Sequence, residues 1–142
     1  MIELALTLVV IAIMAAMISP RFVRIMRSTR VARSSAVVAG DLEQAFTLAG
    51  RYRKPMRITC DCANATYTIA DRDAVGTVRL TRRLVDSDLG TMTLTWEAPN
   101  PGNTVDVFPN GISTNLLRLR ITSGTSTRAI QVTTAGIVRI IP

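Results

Sequence analysis

The feature that most constrains this chain is an apolar run near its start. Leu4 to Ile18 is a stretch of fifteen residues without a charge, in which Thr7 is the one polar side chain. A membrane-spanning helix needs roughly 17 to 25 apolar residues, so the run by itself is just short of that length. A secretory signal peptide begins with a basic segment, whereas the charge that precedes this run is the carboxylate of Glu3. A cleaved signal is therefore disfavoured.

Glu3 is the most informative single residue of the run. A carboxylate at the entrance of an apolar helix is costly in hydrocarbon unless it lies at the interface or meets a cation. The nearest basic side chain in the sequence is Arg21, about 27 Å away along a helix at 1.5 Å per residue. We therefore expect the partner of Glu3 to be a terminal amine, either its own or that of a second subunit.

The residues after the run predict a long helical region with two weak points. Pro20 disfavours helical backbone at Ser19 and predicts a kink or a locally unwound segment there. Gly40 is a second place where the helix weakens or breaks, and Gly50 marks its end. We expect one long helix, or two, over about residues 2–50.

The positive charge of the chain is concentrated in one stretch. Residues 21–57 hold eight Arg and one Lys against two carboxylates, a net charge of +7 that equals that of the whole chain. Five of these arginines, from Arg21 to Arg33, recur every three residues, so at about 100° per residue they rotate around the helix. Localised charge of this kind favours a polyanionic neighbour, either phospholipid headgroups or nucleic acid. Acidic surfaces of other subunits and plain solvation are the alternatives.

From Met56 onward the hydrophobic period changes to two, which is typical of half-buried antiparallel strands. Clusters of Gly, Pro, Asn, Asp and Ser separate the alternating segments and mark turns. The pattern predicts one or two small sheets packed on the second half of the helix. The eight predicted strands cover 56–61, 65–70, 76–82, 91–97, 104–108, 116–122, 127–133 and 136–141.

The residue types argue against an enzyme. The chain contains no His, which removes the commonest general base and most zinc sites. A membrane-bound enzyme is a further alternative, but the sequence offers no set of acid, base and nucleophile residues that would converge on one site. Asp71 with Asp73, and Asp86 with Asp88, offer oxygen ligands for calcium but lack the Gly and Glu of a defined calcium loop, so solvated turns are favoured. Neither a cofactor, a metal nor a small-molecule substrate is predicted.

Cys60 and Cys62 flank Asp61 on a predicted strand, so their side chains share one face of it. A CxC pair alone is a poor zinc site. Two surface cysteines, either unremarkable or joined in a disulfide, are favoured over a metal or redox role.

Arginines on neighbouring strands form a candidate phosphate-binding patch. Seven carboxylates in residues 58–142 oppose eight Arg there, which weakens the positive field. The candidate DNA-binding residues are Arg118, Arg120, Arg128 and Arg139, and Arg79, Arg82 and Arg83 belong to the same predicted patch.

Two segments carry a family resemblance. Ile2-Glu3-Leu4, the unbroken apolar run and Ser19-Pro20-Arg21-Phe22 resemble the mature N-terminus of type IV pilins and type II secretion pseudopilins. In the second half, the segments 107–111, 117–119, 128–132 and 136–139 resemble the β-domain of the GspH/FimT-type minor subunits.

The resemblance implies a fold and a function. The fold is α+β, with a long N-terminal helix, first transmembrane and then amphipathic, packed on a C-terminal antiparallel β-sheet domain. The implied domains are a hydrophobic membrane and filament-core helix (1–20), a basic helix continuing into the globular domain (21–50) and a β-rich head (51–142). The chain would be a minor pilin or pseudopilin of a type IV pilus or type II secretion pseudopilus.

The resemblance also implies partners and a location. A prepilin peptidase would cut and N-methylate the precursor, and Glu3, with Pro20, would serve assembly by neutralising the terminal amine of a neighbouring subunit. The expected location is the bacterial inner membrane, crossed once, with the head in the periplasm or on an extracellular filament. The basic leader of the family pattern does not precede Met1, so the start is expected to be truncated or to lie inside the mature protein.

DNA binding is the second hypothesis. In the FimT-like branch, DNA capture during natural transformation is associated with arginines near the C-terminus. Gly136 and Arg139 match that pattern, whereas Ile137 stands where a second Arg is wanted. The resemblance thus allows a DNA-binding minor pilin as the alternative to a purely structural subunit.

Overall fold

The computed structural model describes residues 2–73, 76–84, 92–97 and 102–142, and of residues 15–21 the backbone alone. The predicted turn at Pro99 to Pro101 and the carboxylates of Asp86 and Asp88 lie outside the described residues. Within these described residues, the elements are one long helix, one short 3-10 helix and eight strands.

Helix α1 runs without interruption from Ile2 to Tyr52. The unwound segment expected at Pro20 and the break expected at Gly40 are not present. Gly in a helix costs about 1 kcal/mol relative to Ala. At Gly40 that cost is offset because the adjacent residues Ala39 and Asp41 are buried against the rest of the protein.

The helix ends two residues after the predicted stop at Gly50. Arg53 takes the left-handed conformation with φ 53°, which is a common way for a chain to leave a helix. Pro55 follows and cannot continue a helical hydrogen-bond pattern. The end of α1 is therefore set by backbone geometry at Arg53 rather than by Gly50.

The second half of α1 buries one narrow stripe of side chains. Its members recur every three or four residues, as one face of a helix requires, and most of them are small, which lets the sheets approach the helix backbone closely. The fully buried members are Val31, Ser34, Ser35, Val38, Leu42, Ala45 and Ala49.

The strands form two four-stranded sheets in which every pairing is antiparallel. The first sheet has the order β3-β2-β1-β5 and the second has the order β4-β6-β7-β8. Each predicted strand is confirmed to within two residues at either end. The strands are β1 Met56–Asp61, β2 Thr66–Asp71, β3 Val78–Arg83, β4 Thr93–Trp96, β5 Thr104–Val107, β6 Leu117–Ser123, β7 Ser126–Val132 and β8 Val138–Ile141.

The two sheets and the second half of α1 share one core. Leu42 from the helix, Tyr67 and Ile69 from the first sheet, and Leu119 and Ile130 from the second sheet are all fully buried in the same hydrophobic cluster. A 3-10 turn, Cys62–Asn64, joins β1 to β2 and contacts β4 of the other sheet. We call this packed unit, the described residues between Val31 and Pro142, the head. The α+β fold class expected from the sequence is confirmed.

Candidate functional site

The first half of α1 lies outside the head. Every described side chain from Ile2 to Met14 and from Phe22 to Arg30 is exposed. The exposed fraction reaches 82% at Ile2 and 62% at Ile11. Apolar surface of this extent is rare on a soluble monomer and marks a place where another molecule binds. We call residues 2–30 the free segment of α1. Within the described part of the chain, no helix combines the length and apolarity needed to cross a membrane.

Glu3 lies in the first turn of α1 and is exposed. Among the described residues, no cation contacts its carboxylate. The N-terminal end of a helix carries partial positive charge, so this position favours an acidic side chain. The structure leaves Glu3 available to a partner from outside the described chain, and its role in assembly stays a prediction. Pro20 is helical in its backbone, and its side chain lies outside what the structure describes.

A carboxylate on α1 anchors the helix to the first sheet. Asp41 is 6% exposed and accepts a 2.5 Å hydrogen bond from the Tyr67 hydroxyl. Arg82 of β3 donates to both oxygens of Asp41, from Nε at 2.8 Å and from Nη2 at 3.0 Å. Burial, together with the adjacent Asp41 carboxylate, raises the pKa of Tyr67, and the hydrogen bonds to Asp41 raise the pKa of Arg82. These three residues form a buried polar contact that fixes the helix on the sheet.

Sequence reasoning missed this contact. Arg82 was expected among outward-facing arginines of a phosphate patch, and the structure instead pairs it with Asp41. A signal was available, because Asp41 falls within the apolar stripe of α1, where a carboxylate requires a buried partner.

A second group of ion pairs lies where α1 ends. Asp106 of β5 accepts two hydrogen bonds from Arg57, at 2.8 and 3.2 Å, and contacts Arg72 Nε at 3.1 Å. Asp71 is likewise held by both Nε and Nη2 of Arg79. The hydrogen bonds from Arg79 lower the pKa of Asp71.

The interpretation of Asp71 as a solvated turn residue is therefore wrong. It is 6% exposed and paired with Arg79, while Asp73 pairs with Lys54 at 3.0 Å. Within the described parts of the chain, no group of three or more His, Cys, Asp or Glu is placed to hold a metal ion.

Three of the four candidate DNA-binding arginines share one face. Along β6, Leu117, Leu119 and Ile121 are buried, so Arg118 and Arg120 point away from the core. Arg118 is opposite Gln131 on β7, which in turn is opposite Arg139 on β8, and residues opposite each other in a sheet lie on the same face. Arg118, Arg120 and Arg139 form what we call the outer arginine face.

The fourth candidate, Arg128, lies on the other side of the sheet. It is opposite Ile121, which faces the core. The structure thus does not bring Arg128 together with the outer arginine face.

Glu97 moderates the positive charge of this face. Its two carboxylate oxygens lie 3.3 Å from Arg118 Nε and 2.9 Å from Arg120 Nε. Both arginines remain about two-fifths exposed. One carboxylate against three guanidinium groups leaves a modest positive surface.

Cys60 and Cys62 are joined by a disulfide whose Cα atoms are 5.2 Å apart. Cys60 is 5% exposed and belongs to the hydrophobic cluster. The bridge closes the turn between β1 and β2 where that turn contacts the second sheet. The disulfide therefore stabilises this turn locally.

The comparisons with known proteins rest on structure alone. No family model matches the sequence, and no curated protein matches it. Among solved structures, the type IV minor pilin FimU of Pseudomonas aeruginosa is similar with a TM-score of 0.61 at 14% sequence identity, over 80% of this chain and 90% of that one. A second crystal form of FimU gives a TM-score of 0.56 at 16% identity, over 78% and 91% of the two chains.

A third similar structure comes from a different system. The minor pseudopilin EpsH of the type 2 secretion system of Vibrio cholerae has a TM-score of 0.58 at 13% identity, over 79% of this chain and 96% of that one. Because the likeness covers about four-fifths of the chain, it includes part of α1 as well as the β-sheets. The chain therefore has the same fold as these minor pilin and minor pseudopilin structures.

Proposed function

We propose that this chain is a structural subunit, a minor pilin or minor pseudopilin, that assembles into a type IV pilus or a type II secretion pseudopilus through the free segment of α1. The observation that carries the proposal is the contrast along one helix, with exposed aliphatic side chains from Ile2 to Met14 and a fully buried stripe from Val31 onward. The pilin-type fold supports the same conclusion.

The free segment would occupy two environments in turn. Before assembly it would lie in the bacterial inner membrane, with the head in the periplasm, and a prepilin peptidase would process the precursor. In the filament it would pack against the free segments of neighbouring subunits, where apolar helices bury each other and no backbone group needs water. Other pilin or pseudopilin subunits are thus the main partners.

Glu3 would neutralise the terminal amine of a neighbouring subunit in the filament. A carboxylate in an apolar environment is tolerated when it is paired, and removal of one partner leaves the other charge buried and unpaired. We expect Glu3→Ala and Glu3→Gln each to lower incorporation into sheared filaments by about tenfold or more, since an unpaired buried charge costs more than the ~1.4 kcal/mol of a tenfold change.

The control for that experiment is Glu43→Gln, which removes an exposed carboxylate from the same helix within the head. Subunit abundance in the membrane is measured beside filament incorporation, so that a loss of protein is distinguished from a loss of assembly. Unchanged incorporation of both Glu3 variants at normal abundance would show that the assigned role of Glu3 is wrong.

A second function is favoured by a separate observation, the outer arginine face. Arg118, Arg120 and Arg139 project from one side of the second sheet and would contact DNA phosphates in a minor pilin that takes up DNA. We expect the full chain in neutral detergent to bind double-stranded DNA at about 10⁻⁴ to 10⁻⁶ M near physiological salt.

The matched variants are Arg118→Ala/Arg120→Ala/Arg139→Ala and, as the control, Arg51→Ala/Arg53→Ala/Arg83→Ala. If each arginine of the face contacts one phosphate, the first set lowers the slope of log K against log salt by about 2.7. Absence of binding, or an equal loss in both sets, would leave the structural role alone.

A further inference from the structure

The basic part of the free segment carries three described arginines without a counter-charge. Arg24, Arg27 and Arg30 are exposed, and no carboxylate among the described residues pairs with any of them, whereas Asp41, Asp71, Asp73, Asp106 and Glu97 of the head are all paired with other cations. We call these three residues the arginine collar. Five of the seven described side-chain carboxylates of the head are thus paired within it, and the other two, Glu43 and Asp61, form no ion pair with the collar. The anion that complements the collar therefore comes from elsewhere.

The spacing of the collar indicates the shape of that anionic partner. Residues three apart are separated by about 300° around a helix and by about 4.5 Å along it, so each arginine is rotated by about 60° from the one before. Arg24, Arg27 and Arg30 thus spread over about a third of the circumference, and Arg33, also exposed, extends the spread to half. A partner protein that docks on one face of the helix would require arginines at i and i+4, which form a stripe along that face. Arginines that spiral around the helix instead suit a partner that supplies anions on several sides of it.

The axial position of the collar matches a bilayer boundary. Glu3 and Arg24 are 21 residues apart, which is about 31 Å at 1.5 Å per residue, and the hydrocarbon core of a bilayer is about 30 Å thick. Six further residues separate Arg24 from Arg30, or about 9 Å, and the polar layer on each side of a bilayer is roughly 5 to 8 Å deep. Burial of α1 in the head begins at Val31, just beyond that layer, and the side chain of Arg27 also lies against Gly124 in the turn between β6 and β7.

Apolar side chains between the arginines support the same placement. Phe22, Val23 and Met26 are exposed and, together with Arg27 and Arg30, line an open cleft on the helix. A surface in which apolar groups and guanidinium groups alternate fits the boundary between acyl chains and headgroups. Arginine stems lie along apolar surface while the charged end reaches the polar layer.

We propose that the arginine collar binds the phosphate groups of anionic phospholipids in the leaflet next to the head. This inference rests on the proposed membrane-resident stage of the subunit and names the lipid class that this stage requires. Guanidinium groups bind phosphate through paired hydrogen bonds as well as by charge. Because these contacts exist in the membrane and not in the filament, anionic lipid stabilises the unassembled subunit and opposes its extraction.

The test measures which lipid surrounds the collar. The chain has a single Trp, so the double change Trp96→Phe/Phe22→Trp moves the only indole next to the collar. The full chain is reconstituted into phosphatidylcholine vesicles that contain a brominated, fluorescence-quenching lipid, either phosphatidylglycerol or phosphatidylcholine. Quenching as a function of lipid fraction gives the relative binding constant of the anionic lipid against the zwitterionic one.

We expect a preference for phosphatidylglycerol of about fivefold if one arginine engages a headgroup and on the order of 100-fold if all three do, from roughly 1 kcal/mol per arginine. Arg24→Gln/Arg27→Gln/Arg30→Gln brings the ratio to about one. The control Arg51→Gln/Arg53→Gln/Arg83→Gln removes the same charge from the head and leaves the preference intact. These head arginines are exposed and form no ion pair with a described carboxylate.

Three results would overturn the proposal. First, strong quenching by both lipids with a relative binding constant of one for the unmodified chain refutes lipid binding by the collar. The membrane stage of the proposed function stands in that case. Quenching by neither lipid refutes the membrane stage and the collar with it. Loss of the preference in inorganic phosphate, but not in sodium chloride of equal ionic strength, assigns the collar to free phosphate instead of lipid.

Discussion

The two halves of α1 form one continuous helix but have opposite relations to the rest of the chain. From Val31 onward the helix is the central element of the head, with small side chains and Leu42 buried against two sheets. From Ile2 to Arg30 the described side chains are exposed, and most of them are apolar or basic. Tertiary packing supplies most of the stability of a helix in a globular protein. The second half has that support from its own chain, whereas the side chains of the first half remain exposed among the described residues.

The largest expected effect tests this difference directly. Leu42 is fully buried between α1 and the sheets, so Leu42→Ala is expected to lower the free energy of unfolding of the head by about 3 kcal/mol, within the usual range for buried leucines. Leu8 is 58% exposed, and Leu8→Ala is expected to change that free energy by less than about 0.5 kcal/mol.

Both free energies are measured by urea denaturation of the full chain in neutral detergent, with Trp96 fluorescence as the probe. A destabilisation of the head by Leu8→Ala comparable to that of Leu42→Ala would contradict the division of α1 into two parts.

The next effect concerns the polar anchor of the second half. Asp41→Asn leaves Tyr67 and Arg82 without their carboxylate, and removing one member of a buried pair costs about 3 to 5 kcal/mol. Arg82 is 39% exposed and regains part of its hydration, so we expect a loss of about 2 kcal/mol. Glu43→Gln on the same helix, where the carboxylate is exposed, is the control and should be neutral. Equal effects of the two changes would indicate that the contact of Asp41 contributes nothing.

A smaller effect appears as a dependence on pH. The pKa of Tyr67 is raised in the folded head, so the unfolded chain loses this proton first as the pH rises above about 10, the ordinary tyrosine value. The native state is therefore stabilised fully below pH 10 and loses this contribution above it, by up to about 1.4 kcal/mol per pH unit.

Tyr67→Phe should abolish that part of the pH dependence and cost about 1 kcal/mol at neutral pH for the lost hydrogen bond. The control is Tyr52→Phe, since Tyr52 is the other tyrosine of the chain and is 41% exposed. Denaturant melts at pH 7, 9, 10 and 11 measure both effects. Parallel curves for the unmodified chain and for Tyr67→Phe would contradict the raised pKa.

The smallest effect has the opposite sign. Ser34 is fully buried in the stripe of α1, and its hydroxyl has no hydrogen-bond partner among the described residues. Ser34→Ala removes an unsatisfied polar atom and improves helix propensity, so we expect a gain of about 0.5 to 1 kcal/mol in urea melts. Ser35→Ala is the matched change, because Ser35 donates to the Ala32 carbonyl at 2.8 Å. A gain at Ser35 and a loss at Ser34 would show that the two environments are assigned the wrong way round.

The backbone of the head was largely predictable from the sequence, because strands such as β1, β2 and β6 alternate between buried and more exposed side chains. The period-two pattern of Leu117, Leu119 and Ile121 fixed both the strand and the outward direction of Arg118 and Arg120. The same alternation along β7 places Arg128 on the face of Ile130 and Val132, which are buried.

The polar contacts of the head were not predictable in the same way. Asp41 and Arg82 are 41 residues apart in the chain, and nothing local at either residue identifies the other. The interruptions of α1 predicted at Pro20 and Gly40 are wrong for a related reason. Local backbone preference predicts them, whereas at Gly40 the burial of the adjacent residues keeps the chain helical.

The order of the strands in the two sheets determines when each sheet can form during synthesis of the chain. Along the chain, β4 belongs to the second sheet, β5 to the first and β6 to the second again, so neither sheet is complete when the chain has emerged only as far as β4. The first sheet waits for β5 and the second for β8. On a growing chain, β1 therefore keeps an unpaired edge until residue 107 arrives, although β2 and β3 have been made long before. The shared core closes last, because its second sheet needs strands that are synthesised after the first sheet is complete.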